Sequence, residues 1–164
     1  RVGEEPVSVD ISSVIQEVLA VLSGEAKQRG ITLKFEVPKK SLPRVRVIRS
    51  HVFEAIENLV SNGLRYSHEG GTVTVTSRAK KGSLEIRVAD SGIGIPQVDQ
   101  EKIFSKFFRA SNAVRSFTDG SGLGLSVVKS YVEENGGAVS FESQENVGTT
   151  FIITLPIAKE DGGK

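Results

Sequence analysis

The chain contains no cysteine and only two histidines among its 164 residues. Without thiols, disulfides and thiolate-held metal ions are excluded. His51 and His68 lack a metal-ligand spacing and have no telling acidic or hydroxyl partner, so we expect them at the surface or at a helix start rather than in catalysis. No apolar run reaches the ~20 residues that a membrane-spanning helix needs.

An excess of charge of one sign is also missing. The formal net charge is +1, and the basic residues are scattered apart from pairs at residues 39–40 and 80–81. Neither nucleic acid nor a membrane surface is therefore a predicted partner. The length suits a single domain, which we place over residues 1–157 with a frayed tail over 158–164. Beginning at Arg1, the chain reads as a piece of a longer protein.

Hydrophobic periodicity predicts the order helix, strand, helix, hairpin, loop, helix, hairpin. The first helix ends near Gly30, and Ser13 with Gln16 fits a capping box at its start. The second helix covers residues 50–66, and the stretch 97–119 is a partly ordered loop with one or two helical turns. This order predicts an α+β fold, a two-layer α/β sandwich in which a mixed, mainly antiparallel sheet of about five strands packs on three helices.

One flank of the second helix is rich in polar side chains that a core helix does not need. At 100° per residue, Asn58, Asn62, Arg65 and Tyr66 share a stripe between the core face and the solvent face. Amide oxygens suit Mg²⁺, and an arginine fork suits phosphate. An ordinary solvated stripe is the alternative, but two asparagines one turn apart favour a functional wall.

Asp90 ends an apolar strand and is followed by the glycine turn Gly92-Ile93-Gly94-Ile95. A carboxylate there can accept a hydrogen bond from an exocyclic amine, while glycines let a planar ring approach the main chain. A tight turn with a local aspartate cap explains the same residues equally well.

A second glycine-rich run, residues 120–125, precedes the third helix, which we expect to open at Gly122. Free N–H groups at such a helix start form an anion site suited to phosphate, although a flexible hinge has the same composition. The glycine spacing of dinucleotide-binding proteins and the Gly-Lys-Ser/Thr ending of phosphate-binding loops are both absent.

Two further segments have plain structural explanations. Gly148, Thr149 and Thr150 fit a hairpin turn followed by a β-strand. Phe104, Phe107 and Phe108 fit a loop that is anchored on the core.

Taken together and in this order, five short segments resemble the sequence boxes of sensor histidine kinase catalytic domains, and the resemblance covers residues 6–157. The segments are residues 58–66, 90–95, 103–109, 120–125 and 148–151. The resemblance implies the Bergerat ATP-binding fold, which gyrase, a heat-shock chaperone and mismatch-repair ATPases share. ATP and Mg²⁺ are the implied cofactors.

The resemblance also implies roles for individual residues. Asp90 would receive the adenine amine, directly and through water shared with Thr150, and Asn62 would ligate Mg²⁺. Asn58, Asn62 and Arg65 would form the catalytic group. Residues 97–121 would be an ATP lid hinged on Phe104, Phe107 and Phe108. The implied nucleotide-binding residues are Asn58, Asn62, Arg65, Tyr66, Asp90, Gly92, Gly94, Ile95, Phe107, Arg109, Gly120, Ser121, Gly122, Leu123, Gly124, Leu125, Thr149 and Thr150.

Two positions depart from patterns within this superfamily. Its hydrolysing ATPases place a glutamate general base where Asn58 stands, and an amide cannot accept the proton of an attacking water. We therefore expect slow hydrolysis and transfer of the γ-phosphoryl group to a histidine. Gly63 stands where the family commonly has alanine, at a helix-interior cost of about 1 kcal/mol.

The phosphoacceptor histidine is expected on a separate dimerisation hairpin that the sequence lacks, so the fragment alone is predicted to be monomeric. A response regulator is the expected indirect partner, and the cytoplasm the expected location, without direct membrane contact. Two rival functions remain, a nucleotide-binding pseudokinase with a regulatory role and a serine kinase of the anti-sigma type.

Overall fold

The computed structural model describes residues 4–116 and 124–157. Four α-helices and a short 3₁₀ helix occur within these ranges, and the predicted loop with one or two helical turns is the segment that holds the 3₁₀ helix and α3. The helices are α1 Ile11–Arg29, α2 Arg49–Tyr66, the 3₁₀ helix Gln97–Lys102, α3 Ser111–Ser116 and α4 Gly124–Glu134. None of the helices in the described ranges is long and apolar enough to cross a membrane.

In the described part of the chain, seven strands form two sheets. The strands are β1 Val7–Val9, β2 Thr32–Glu36, β3 Val45–Val47, β4 Thr72–Lys80, β5 Ser83–Asp90, β6 Ala138–Gln144 and β7 Gly148–Pro156. Strands β1 and β3 pair with each other, whereas the main sheet has the order β2-β4-β5-β7-β6. Only β2 and β4 run parallel in the main sheet, which confirms the predicted mixed, mainly antiparallel sheet of five strands.

The core lies between one face of the main sheet and three helices. Alternate residues of the central strands, such as Val75, Ile86 and Ile153, are buried on that face. The helices bury matching apolar stripes, represented by Val14 of α1 and Ile56 of α2, and Val128 of α4 joins the same core. Because these side chains exclude water from one cluster, they fix α2 and α4 over the sheet and set the position of the polar flank of α2.

The start of α1 differs from the predicted capping box. Asp10 is the N-cap residue, and its Oδ1 atom accepts a hydrogen bond from the Ser12 backbone N–H at 3.1 Å. Ser13 already lies inside the helix, so the pairing of Ser13 with Gln16 was wrong. An aspartate at the N-cap satisfies the same free N–H groups that a capping box would. At the other end, Gly30 closes the helix in the left-handed region at φ 67°.

Candidate functional site

The flank of α2 forms one wall of a cavity of about 230 Å³. All four side chains of the predicted stripe line this cavity, namely Asn58, Asn62, Arg65 and Tyr66. Their arrangement follows from the helix itself, since the adjacent stripe of α2 is buried in the core and leaves this flank facing the cavity.

Asp90 lies at the end of β5, on another side of the same cavity. Its Oδ1 atom accepts a hydrogen bond from the Gly92 N–H at 2.9 Å. Burial raises the pKa of the Asp90 carboxyl from 3.8 to about 6, against the opposing effect of backbone hydrogen bonds from Gly92 and Thr149. Asp90 is therefore a partly desolvated acceptor, and a donor from a ligand would stabilise its charged form.

The glycines after Asp90 are required because neighbouring backbone lies against them, and not only because they would let the ring of a ligand approach the main chain. A Cβ atom on Gly92 would lie 2.5 Å from the Tyr66 carbonyl oxygen, and one on Gly94 would lie 2.1 Å from the Gln144 carbonyl oxygen. Gly94 also has φ 68°. It borders the cavity together with Ile95, whereas Gly92 does not. The turn thus joins the end of α2 to the end of β6.

The predicted segment 120–125 meets the segment 58–66 at the start of α4. A Cβ atom on Gly124 would lie 3.3 Å from the Asn58 Oδ1 atom, so the absence of a side chain lets α4 begin against α2. Gly124 and Leu125 line the cavity. The other predicted residues of this segment, Gly120, Ser121, Gly122 and Leu123, lie outside the described residues, as does the predicted opening of the helix at Gly122.

The lid segment, which we define as residues 97–116, closes another side. Phe108 and Arg109 line the cavity, and the Arg109 Nη2 atom donates to the Ala113 carbonyl at 3.5 Å. Phe104 and Phe108 pack against the core as predicted. Phe107 does not, because its backbone has φ 64° and its side chain is 72% exposed. Its predicted role as an anchor on the core was therefore wrong. It is not among the cavity residues, and its expected part in nucleotide binding stays a prediction.

Strand alternation separates the two threonines of β7. Thr149 is buried, lines the cavity and has its hydroxyl 2.8 Å from that of Ser143. Successive side chains of a strand point to opposite faces, so Thr150 lies on the face of the sheet away from the helices. It is not among the cavity residues. The threonine that shares the cavity with Asp90 is Thr149, and the expected role of Thr150 is corrected accordingly.

Sequence reasoning did not find two polar residues that shape the site. Ser143 accepts a hydrogen bond from the Ile95 N–H at 2.8 Å and donates to the Gly148 carbonyl. Alternation along β6 would have placed Ser143 on the inner face. Asn112 of α3 also lines the cavity, but the lid lacks the periodicity from which this side chain could have been predicted.

The charges in the cavity are complementary to a ligand with a donor at one end and an anion at the other. Among the described residues that line it, Asp90 is the only carboxylate, and Arg65 and Arg109 are the cations. The Arg65 Nε atom is buried and has no hydrogen-bond partner in the described part of the chain. A buried guanidinium donor of this kind suits an anionic oxygen.

Known proteins are similar to this chain in sequence and in fold. The family model described as "Histidine kinase-, DNA gyrase B-, and HSP90-like ATPase" matches residues 48–159, which is more than half of the chain. The sensor-like histidine kinase SenX3 of Mycolicibacterium smegmatis is 36% identical over 149 residues. That match covers 91% of this chain and 38% of SenX3, so the chain spans well under half of the relative.

Solved structures give the same result. The nucleotide-free catalytic domain of the histidine kinase ThkA has a TM-score of 0.81 and 30% identity, covering 93% of this chain and 96% of that one. Full-length ShkA in complex with AMPPNP has a TM-score of 0.82 and 28% identity, covering 94% of this chain and 32% of ShkA. A longer ThkA structure, in complex with the response regulator TrrA, matches with a TM-score of 0.77 and 28% identity, covering 93% of this chain and 42% of that one. The chain therefore belongs to the histidine kinase-, DNA gyrase B-, and HSP90-like ATPase family, as a catalytic domain of the sensor histidine kinase type.

Proposed function

We propose that this domain binds Mg-ATP in the cavity and transfers the γ-phosphoryl group to a histidine on a separate helical hairpin. The observation that carries the proposal is the convergence of three distant segments on one cavity. The flank of α2, the turn after Asp90 and the start of α4 all border it. The family and the AMPPNP bound by ShkA support a nucleotide as the ligand.

The nucleotide would lie with its base at Asp90 and its phosphates toward α2 and α4. Asp90 would accept a hydrogen bond from the adenine amine, since its carboxylate is buried but still ionises near pH 6. Arg65 and Arg109 would face the phosphate chain with their guanidinium groups. The base and the phosphates would thus be held from different elements, which fixes the γ-phosphoryl group in one direction.

The asparagines of α2 fit a magnesium site. The described residues contain no group of three or more histidine, aspartate or glutamate side chains that could hold a metal by itself. Mg²⁺ does not need one, because it takes one or two protein ligands and completes its shell with phosphate oxygens and water. Asn62 would supply the protein ligand and Asn58 would assist beside it. When bound, the ion would neutralise charge on the phosphates.

Transfer to a histidine fits the lack of a general base on the α2 wall among the described residues of the cavity. Asn58 is an amide, and the single carboxylate among the described cavity residues, Asp90, is committed to the base end of the site. Positioned general bases contribute about 10²–10⁴-fold to a rate. A neutral histidine needs no such base because its ring nitrogen is already a nucleophile. A response regulator would take the phosphoryl group in turn, and we place the reaction in the cytoplasm, where ATP is available.

The decisive experiment mixes the domain with the hairpin of its own full-length protein and γ-labelled ATP. We expect acid-labile phosphate on the hairpin, and a loss of about 100-fold in rate for Asn62→Ala. Val21→Ala, on the exposed side of α1, is the matched control and should transfer at the wild-type rate. A hairpin with glutamine in place of its acceptor histidine should remain unlabelled.

Other outcomes would contradict the proposal in distinct ways. Nucleotide binding without any labelled hairpin would favour a regulatory pseudokinase. Acid-stable phosphate on a serine of a substrate would favour the serine kinase. The domain alone should hydrolyse ATP to inorganic phosphate far more slowly than it transfers the phosphoryl group when the hairpin is present. Equal rates of hydrolysis and transfer would show that Asn58 does not prevent hydrolysis.

A further inference from the structure

Asn112 is a buried amide on the lid helix α3. Its side chain is 9% exposed, and its Nδ2 atom donates to the Gly94 carbonyl at 2.9 Å and more weakly to the Ile93 carbonyl at 3.4 Å. The start of α3 is itself fixed, since the Asp99 Oδ2 atom accepts hydrogen bonds from the Ser111 N–H and hydroxyl. Asn112 therefore fastens a positioned lid helix to the turn after Asp90.

The orientation of the Asn112 amide follows from these contacts. A reversed amide would place its oxygen against two carbonyl oxygens, which cannot donate. The Oδ1 atom is thus turned away from the turn, and it is buried without a hydrogen-bond partner in residues 4–116 and 124–157. A buried acceptor without a donor is unfavourable. Because Asn112 is one of the residues that line the cavity, a small movement of its side chain on binding would bring the Oδ1 atom to a donor on a ligand.

Asn112 and Asp90 border the same cavity from two different elements, and one turn fixes both. The Gly92 N–H donates to Asp90, and the Gly94 carbonyl accepts from Asn112. Two side chains with oxygen acceptors, Asp90 and Asn112, are thus held at the edge of the cavity by the same turn. An exocyclic amine has two hydrogens and can donate to two acceptors at once.

We propose that Asn112 is the second acceptor for the exocyclic amine of the bound nucleobase and is therefore a specificity-determining residue of the lid. This inference rests on the proposed function, in which the base lies at Asp90. A base with a carbonyl oxygen in place of the amine would present an acceptor to both side chains. The pair would therefore select for adenine and against guanine, and would do so only while the lid helix is seated on the turn.

The test compares ATP with purine riboside triphosphate, which lacks the amine. Dissociation constants are measured by titration calorimetry with Mg²⁺ for the wild type and for Asn112→Leu. Loss of the contacts that hold the lid would weaken the binding of both nucleotides, whereas loss of the acceptor would weaken the binding of ATP alone. We expect the preference for ATP over the analogue to fall about three- to tenfold, the size of one hydrogen bond. Val114→Ala, at an exposed position of the same helix, should keep the wild-type preference.

An unchanged preference in Asn112→Leu, with or without a common loss of affinity, would overturn the inference and leave Asn112 as a structural contact. The variant Asp90→Asn shows whether only the role of Asn112 is wrong or whether the proposed position of the base is wrong as well. If Asp90→Asn keeps the full preference for ATP, the base does not lie at Asp90. Should Asn112→Leu fail to fold, the wild type is titrated with N6-methyl-ATP, which keeps one N–H. Weaker binding than ATP is expected, and equal binding would overturn the inference.

Discussion

At the scale of single residues, Gly63 shows how a missing side chain determines the site. A Cβ atom at this position of α2 would lie 3.0 and 3.2 Å from the two methyl groups of Val73 and 3.5 Å from the Asp90 Cβ atom. Val73 is fully buried on β4. The glycine therefore lets α2 lie close to the sheet beside Asp90, and its helix-propensity cost is offset by this contact.

Gly63→Ala is expected to lower the free energy of unfolding by about 1 kcal/mol, because overpacking against Val73 exceeds the gain in helix propensity. In the double variant Gly63→Ala/Val73→Ala the added methyl group has room. Its free energy of unfolding should therefore be about 1 kcal/mol higher than the sum of the two single effects predicts. Urea unfolding of the wild type, the two single variants and the double variant measures this difference.

Gly24 provides the matched control, since it lies in the interior of α1 with nothing within 4 Å of an added Cβ atom. Gly24→Ala should raise the free energy of unfolding by up to about 1 kcal/mol. Additive effects of the Gly63 and Val73 changes would show that the two residues are not coupled.

At the scale of elements, the end of α4 is joined to the start of α2 by one asparagine. The Asn135 Oδ1 atom accepts from the Ile48 N–H at 2.8 Å, and its Nδ2 atom donates to the Tyr131 carbonyl at 2.7 Å. The same Nδ2 atom lies 3.2 Å from His51 Nδ1, and the His51 ring stacks on Tyr131. The two helices that border the cavity are thus held in register at their far ends.

Asn135→Ala should lower the free energy of unfolding by about 1–3 kcal/mol, because the Ile48 N–H loses its partner and the Tyr131 carbonyl keeps only the backbone N–H of residue 135 as a donor. Thermal and urea unfolding measure the change. Glu133→Ala, exposed and two residues earlier, should alter stability by less than about 0.5 kcal/mol. Similar small effects for both variants would mean that core packing alone holds the helices in register.

Local periodicity explains which parts of this architecture could be predicted from the sequence. The stripe from Asn58 to Tyr66 followed from helix geometry, and both hairpins followed from alternation and glycine turns. Contacts between distant segments had no local signal. His51 was expected at the surface or at a helix start, and it lies in the first turn of α2 but is buried against Tyr131. Asn112 lies in a segment without any period, so its burial was not predictable.

At the scale of the whole molecule, the cavity couples ligand binding to folding. Its lining comes from α2, α4, β5, β7 and the lid segment, so the complete site exists only in the folded chain. A ligand that binds only the folded state stabilises it by about 2.7 kcal/mol at 100 times its dissociation constant. Because Asp90 is buried in this site with a pKa near 6, the coupling should depend on pH.

Without nucleotide, Asp90 holds its proton up to a higher pH in the folded state than in the unfolded state, where its pKa is 3.8. Burial of the charged carboxylate lowers the stability of the folded state by its full amount above about pH 6. This loss of stability disappears as the pH falls toward 4. Relative to Asp90→Asn, the wild type should thus gain up to about 3 kcal/mol of stability over this window.

With nucleotide the dependence should reverse, because an amine donor needs the charged carboxylate as its acceptor. The affinity for ATP should fall up to about tenfold for each unit below pH 6 in the wild type. Calorimetric titrations between pH 5 and pH 8 measure this slope, and Asp90→Asn, which cannot titrate, reports the part due to the phosphates of ATP. If both proteins gave the same slope, protonation of Asp90 would play no part in binding, and the base would have to lie elsewhere in the cavity.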